Sequence, residues 1–199
     1  MDTSLEVNGA LPLFCAPPIS WCKLWSQQKP SITTDPRYQK QHYFNRFFIL
    51  GSTGVLMQTI PIKKYPDQAP LTAIKICYDQ NWASRVARAI RFAYSKSAFY
   101  EHYWPELAYL FQNPPEFLLE FNQQLLDTIV RIAFLPTPNY ISESTQFPAI
   151  SSQNWGATRT SIPPQKHYFQ LFGNEFYPDL SILDALFNLG TELPKYLTN

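Results

Sequence analysis

Two β-prone runs, residues 43–50 and 55–62, flank Gly51-Ser52-Thr53-Gly54. A four-residue segment bounded by glycines reverses the chain, because glycine adopts left-handed backbone angles without a Cβ clash. The pattern predicts an antiparallel hairpin over about residues 43–62 and gives the N-terminal half a β-rich character. Apolar spacing then changes from the period of a strand to that of a helix. Asp79 or Asn81 can cap a helix over about 82–95, with Val86, Ile90 or Ala89, and Ala93 inward. A second helix is expected over about 98–111. Asn113-Pro114-Pro115 reads as the start of a third, followed at helical spacing by Phe117, Phe121, Leu125, Ile129 or Thr128, and Ile132.

The remaining segments complete an α/β outline. Residues 11–16 read as a buried first strand stopped by Pro17-Pro18, and residues 19–28 as a short helix. Residues 31–34, 72–77 and 167–172 are further strand candidates. A last helix over about 181–189 ends at Gly190. Between them, residues 135–165 carry five prolines and many Ser, Thr, Gln and Asn. Such a stretch is expected to be a long irregular loop that is functional, disordered, or host to short strands. With 199 residues, the chain suits one domain spanning 1–199. The expected fold class is therefore α/β, a mixed β-sheet in the N-terminal half followed by a helical C-terminal half.

Charge is nearly balanced overall at +1 but unevenly placed. Residues 23–96 hold twelve Lys or Arg against Asp35, Asp67 and Asp79, whereas residues 97–199 hold four basic against ten acidic side chains. Two readings stand: the N-terminal half offers an anion-attracting face, or the two halves attract each other in the fold. Aromatic residues reach 16%, enough to build a core and to leave rings for stacking. Three cysteines without C-x-x-C spacing argue against a disulfide scaffold or structural zinc. No apolar run approaches the roughly 20 residues of a membrane-spanning helix. Because the first residues are acidic where a signal peptide is basic, a cytoplasmic location is the expectation.

Three clusters are candidates for chemistry. In the first, Lys40, Gln41, His42, Asn45 and Arg46 run into the hairpin's first strand. They are either the exposed side of a half-buried strand or a polar fork suited to phosphate or carboxylate. In the second, Arg85, Arg88 and Arg91 share one helix flank, as a solvated face or an anion-binding stripe. In the third, Asp179, Ser181 and Asp184 surround a helix start. There they act as caps, unless the helix N-terminus opens into a cleft and holds an anion. No nucleophile elbow, phosphate-binding loop, dinucleotide fingerprint or zinc-protease motif is present, and no metal site or cofactor is implied. A pI near 7.7 and the lack of any nucleic-acid motif argue against nucleic acid as a partner.

Taken in order, several segments resemble the WbqC-like protein family. They are Pro17 to Trp21, Tyr38 to Arg46, Gln58 to Ile62, Trp82 with Ala93 to Tyr103, Tyr168 to Phe172, and Asp179 to Asp184. The resemblance implies a bacterial protein, with some family members tied to surface-polysaccharide synthesis and a suggested transfer reaction on an amino sugar. On that basis the expected function is a transferase acting on a nucleotide-activated or phosphorylated sugar. Lys40, Gln41, Asn45 and Arg46 would position the anionic small-molecule substrate, with Arg85 or Arg88 screening phosphate. His42 or Asp179 would act as acid or base. The rival expectation is a non-catalytic binding or assembly protein with an aromatic docking surface. The enzyme reading requires Lys40, Arg46 and one arginine of the 85–91 helix to converge on one pocket.

Overall fold

The structure, a computed structural model, describes residues 10–142, 165–173 and 175–199. The first strand, β1 (Leu11–Pro12), is short because Pro12 supplies no N–H to a ladder. It pairs in parallel with β2 (Ile32–Thr33), in the register Leu11 to Ile32, across the intervening helix α1 (Ile19–Gln28). Pro17-Pro18 stops the chain before α1, and Lys29 at φ 51 stops the helix in the left-handed conformation that closes helix C-termini. The third member of this parallel sheet is β5 (Tyr140–Ile141), paired with β2. It is a short strand inside the proline-rich 135–165 stretch; residues 143–164 of that stretch lie outside the described residues.

The second sheet is the hairpin of β3 (Arg46–Gly51) and β4 (Gly54–Thr59), in the register Gly51 to Gly54. The expected α/β class therefore holds, with the strands divided between a parallel and an antiparallel sheet. Antiparallel pairing alternates, so Phe48 and Leu50 turn their backbone polar groups away from β4. Those groups are used elsewhere. Phe48 accepts a hydrogen bond from the Ser181 N–H at 2.9 Å, and the Leu50 N–H donates to the Tyr94 hydroxyl at 3.1 Å. This covers an edge that would otherwise invite pairing with another chain.

Helices α2 (Trp82–Tyr94), α3 (Tyr100–Gln112) and α4 (Leu118–Ile132) follow, then α5 (Ile182–Leu189) and α6 (Leu193–Thr198). Their inward faces match the apolar spacing: Val86, Ile90 and Ala93 on α2, and Phe121, Leu125 and Ile129 on α4. One buried cluster links these faces to α1 and the hairpin, with Trp21, Trp82, Tyr94 and Phe187 among its largest members.

Three local expectations are corrected. Residues 72–77 form no strand; a 3-10 turn at Leu71–Ala73 precedes isolated bridges from Lys75 to Phe117 and from Ile76 to Ile62. Alternation is present there, with Ile74 and Ile76 buried around exposed Lys75. However, Pro61 in the facing segment has no N–H and keeps the pairing from extending. Residues 167–172 alternate in the same way without a partner strand among the described residues, and their inward side chains Tyr168 and Gln170 bond to Asp184 instead. Finally, α4 begins at Leu118 and not at the Pro114-Pro115 pair.

Candidate binding cleft

A cleft of ≈ 820 Å³ opens along the packed helices α2 and α3. Small side chains make the room: Ala83, Ser84 and Ala87 on α2, and Ala108 on α3. Larger ones bound it. Trp82 and Tyr78 stand at the α2 N-terminal end, while Trp104 and Phe111 line the α3 side. The rings of Tyr100, Trp104 and Phe111 run near-parallel along α3, with centroids 5.6 Å and 5.9 Å apart in turn. Arg88 and Arg91 supply positive charge to the same cleft, and neither has a carboxylate partner among the described residues. Its size and its mixture of rings with a few polar groups are those of a small-molecule site.

Two buried donors, one on α2 and one on α3, lack acceptors among the described residues. The Trp82 indole N–H has no hydrogen-bond partner although Trp82 is only 1% exposed. The Tyr100 hydroxyl is also buried and unpartnered. Burial pushes that phenol up to about 12, with the nearby Arg91 acting in the opposite direction. Tyr78 is unusual in another way. It is 46% exposed, yet its hydroxyl lies 2.5 Å from the Pro115 carbonyl and 3.2 Å from that of Pro114. The proline pair thus holds an exposed ring in place at the edge of the cleft.

Of the residues singled out from sequence, Arg88 and Arg91 line this cleft. Arg85 is exposed one turn earlier on α2, with its Nη1 3.5 Å from the Gln80 Oε1. Lys40, Gln41, His42, Asn45 and Arg46 are grouped at the open end of the hairpin and are not among the described residues of the cleft wall. Lys40 and Gln41 are exposed, Gln41 at φ 65. His42 is half-buried beside Phe44, and burial lowers its pKa. Asn45 is 5% exposed; its side chain accepts from the Tyr38 hydroxyl at 2.9 Å and donates to the Ile60 carbonyl at 2.9 Å. That pairing pins the hairpin base. The Nε of Arg46 is buried without a hydrogen-bond partner among the described residues.

The acidic residues serve as internal ties. Asp179, at φ 57, accepts from the Ser20 N–H at 2.7 Å and from the Gln165 side-chain amide at 3.2 Å. It therefore caps α1, a helix far away in sequence, and the hydroxyl of Ser181 before α5 has no partner among the described residues. Asp184 is fully buried and accepts from Tyr94 at 2.9 Å, Tyr168 at 2.5 Å and the Gln170 amide at 3.0 Å. Burial raises its pKa, and the three donors act downward. The same burial, with Asp184 alongside, holds the phenols of Tyr94 and Tyr168 well above their ordinary value. Sequence reasoning missed Tyr78, Trp82 and Trp104 as cleft residues. The readable signal was Ala at 83, 87 and 108 beside Trp82, Trp104 and the arginines, a small-beside-large pattern on two adjacent helices.

Fold and cleft together define an α/β protein with an arginine- and ring-lined pocket. The chain belongs to the WbqC-like protein family, which it matches over residues 26–161, a span that includes the whole described cleft wall and stops before Asp179. No curated protein matches the chain, and neither does any solved structure. Among the described residues, no helix is long and apolar enough to cross a membrane.

Proposed function

We propose that the α2–α3 cleft binds a phosphorylated sugar, nucleotide-activated or not, and that the protein is a transferase in bacterial surface-polysaccharide synthesis. The observation that carries this reading is the pair Arg88 and Arg91, without carboxylate partners among the described residues, facing a cleft with aromatic walls. Guanidinium groups recognise phosphate oxygens through paired N–H donors, and rings accept the apolar faces of sugars and bases. The transfer step itself rests on the family resemblance. The reading assigns phosphate to Arg88 and Arg91 alone, because Lys40 and Arg46, whose convergence with an arginine of this helix the sequence-based enzyme expectation required, do not line the cleft. An acid–base role for His42 or Asp179 requires substrate to extend beyond the described cleft wall.

One observation favours a second reading, a binding or assembly protein without catalysis. The described cleft wall contains no carboxylate, imidazole or amine that could move a proton near neutral pH. A single experiment separates the two. Thermal shift against hexose phosphates, sugar nucleotides and amino-acyl donors should show stabilisation that Arg88→Ala removes. Product formation on incubating the stabilising donor with amino-sugar acceptors supports the transferase. Stabilisation without turnover supports the binding protein, and no stabilisation by any phosphorylated compound sinks both uses of the cleft.

A further inference from the structure

Resting on that use of the cleft, we infer that its ligand is a nucleoside diphosphate, with the base against Tyr78 and the diphosphate on Arg88 and Arg91. The first support is Tyr78. A tyrosine 46% exposed normally has a mobile ring, but this one is tethered through its hydroxyl to the Pro114-Pro115 carbonyls. The tether leaves a ring face free while fixing where it stands. A fixed, solvent-facing ring on a cleft wall is a stacking platform for a planar base.

The second support is Trp82, whose ring centroid lies 6.4 Å from that of Tyr78. Its indole N–H is buried without an acceptor, an arrangement that folded proteins avoid. An acceptor-bearing base or ribose in the cleft reaches this donor when the Trp82 side chain turns toward the cleft.

The third is spacing. With a rise of about 1.5 Å per residue, Arg88 and Arg91 stand about 9 Å and about 13.5 Å along α2 from Trp82. These are separations of Cα positions along the axis, and a hexose monophosphate is shorter than the longer of them. An extended nucleoside diphosphate spans them, base at one end and phosphates at the other. The charge agrees, since the diphosphate brings the anion that the two arginines lack among the described residues.

The test is isothermal titration calorimetry on the full chain with UDP, GDP, inorganic pyrophosphate and a hexose phosphate. UDP or GDP should bind at least about ten-fold more tightly than pyrophosphate, the gain expected of one stacked base. Tyr78→Ala should erase that difference while leaving pyrophosphate binding unchanged. Tyr78→Phe, which keeps the ring and loses the tether, should retain most of it. The indole N–H resonance of Trp82, assigned with Trp82→Phe, should move when nucleotide is added. Equal binding of pyrophosphate, hexose phosphate and nucleotides overturns the nucleotide assignment and leaves the phosphorylated-sugar reading standing. So does a Tyr78→Ala variant that binds UDP like the wild type. Failure of every phosphorylated probe, in wild type and Arg88→Ala alike, overturns both.

Discussion

Replacing Tyr94 by Phe tests whether the buried node around Asp184 holds the helices to the hairpin. The Tyr94 hydroxyl, on α2, accepts from the Leu50 N–H of β3 at 3.1 Å and donates to Asp184 of α5 at 2.9 Å. Removing it leaves the Leu50 N–H buried without a partner, which costs about 1–3 kcal/mol. It also takes one of three donors from a buried carboxylate, a charged hydrogen bond contributing about 1.5–3 kcal/mol. Some of this is recovered, because Asp184 keeps Tyr168 and Gln170 and its raised pKa lets it take up a proton more readily. A net loss of about 3 kcal/mol is expected, a drop of roughly 6–12 °C in Tm for a chain of this size. Urea denaturation should show a lower midpoint with an unchanged slope, since the exposed surface is the same in both proteins. The variant Tyr94→Phe combined with Asp184→Asn should lose less than the sum of the single changes, because the two side chains share a bond. A Tyr94→Phe protein within about 0.5 kcal/mol of wild type would refute the reasoning. Alkaline pH gives an independent check. A phenol whose pKa is raised by folding contributes stability that is intact below its unfolded value of 10.0 and is lost as pH rises through the folded value. The alkaline loss of stability should therefore be smaller in Tyr94→Phe.

Other substitutions separate scaffold from site. Asn45→Ala should cost about 2–4 kcal/mol by urea denaturation, since the Tyr38 hydroxyl and Ile60 carbonyl both lose a buried partner, and should leave phosphate binding intact. Asp179→Ala should cost about 1 kcal/mol from the lost α1 cap, whereas Asp179→Asn keeps an acceptor and tolerates the φ of 57, so its melting point should stay near wild type. If Asp179→Asn melts normally but abolishes turnover, the residue acts in chemistry as well as in capping. For His42, burial lowers the folded pKa, so its contribution is present above the unfolded value of 6.5 and is lost as pH falls below it. His42→Gln should flatten the acid limb of a melting-point series taken from neutral pH downward.

Local elements followed from local causes. The glycine-bounded turn and its flanking runs gave the hairpin, the Pro17-Pro18 stop set the start of α1 at Ile19, and Gly190 ended α5. Helical spacing identified the inward faces of α2 and α4, because periodicity depends only on neighbours along the chain. Segments 72–77 and 167–172 show the limit of that logic. Their alternation is real, but a strand also needs a partner with free N–H and C=O groups, and no local pattern reports whether one arrives.

The site was less legible for the same reason. Arg88 was recognisable as a cation on a helix flank, yet sequence could not distinguish a solvated flank from a cleft wall. That was decided by α3 packing alongside α2 and bringing Ala108, Trp104 and Phe111 opposite it. Asn45 looked like a ligand-binding group because it interrupts an apolar run, and Asp179 like a helix cap or, on the family resemblance, an acid–base group. Their partners, Ile60 and Ser20, are brought to them by the fold, and in the structure both tie backbone to backbone. Asp184 sat in a pattern that reads as a cap. Burial against Tyr94, Tyr168 and Gln170, from two other parts of the chain, made it the centre of the core's polar node instead. The sequence by itself determined the α/β class, the hairpin, the helix faces and the charge asymmetry, all set by short-range sterics and periodicity. Only the tertiary structure decided which polar groups are satisfied internally and which remain open to a ligand, because that depends on contacts between residues distant in sequence.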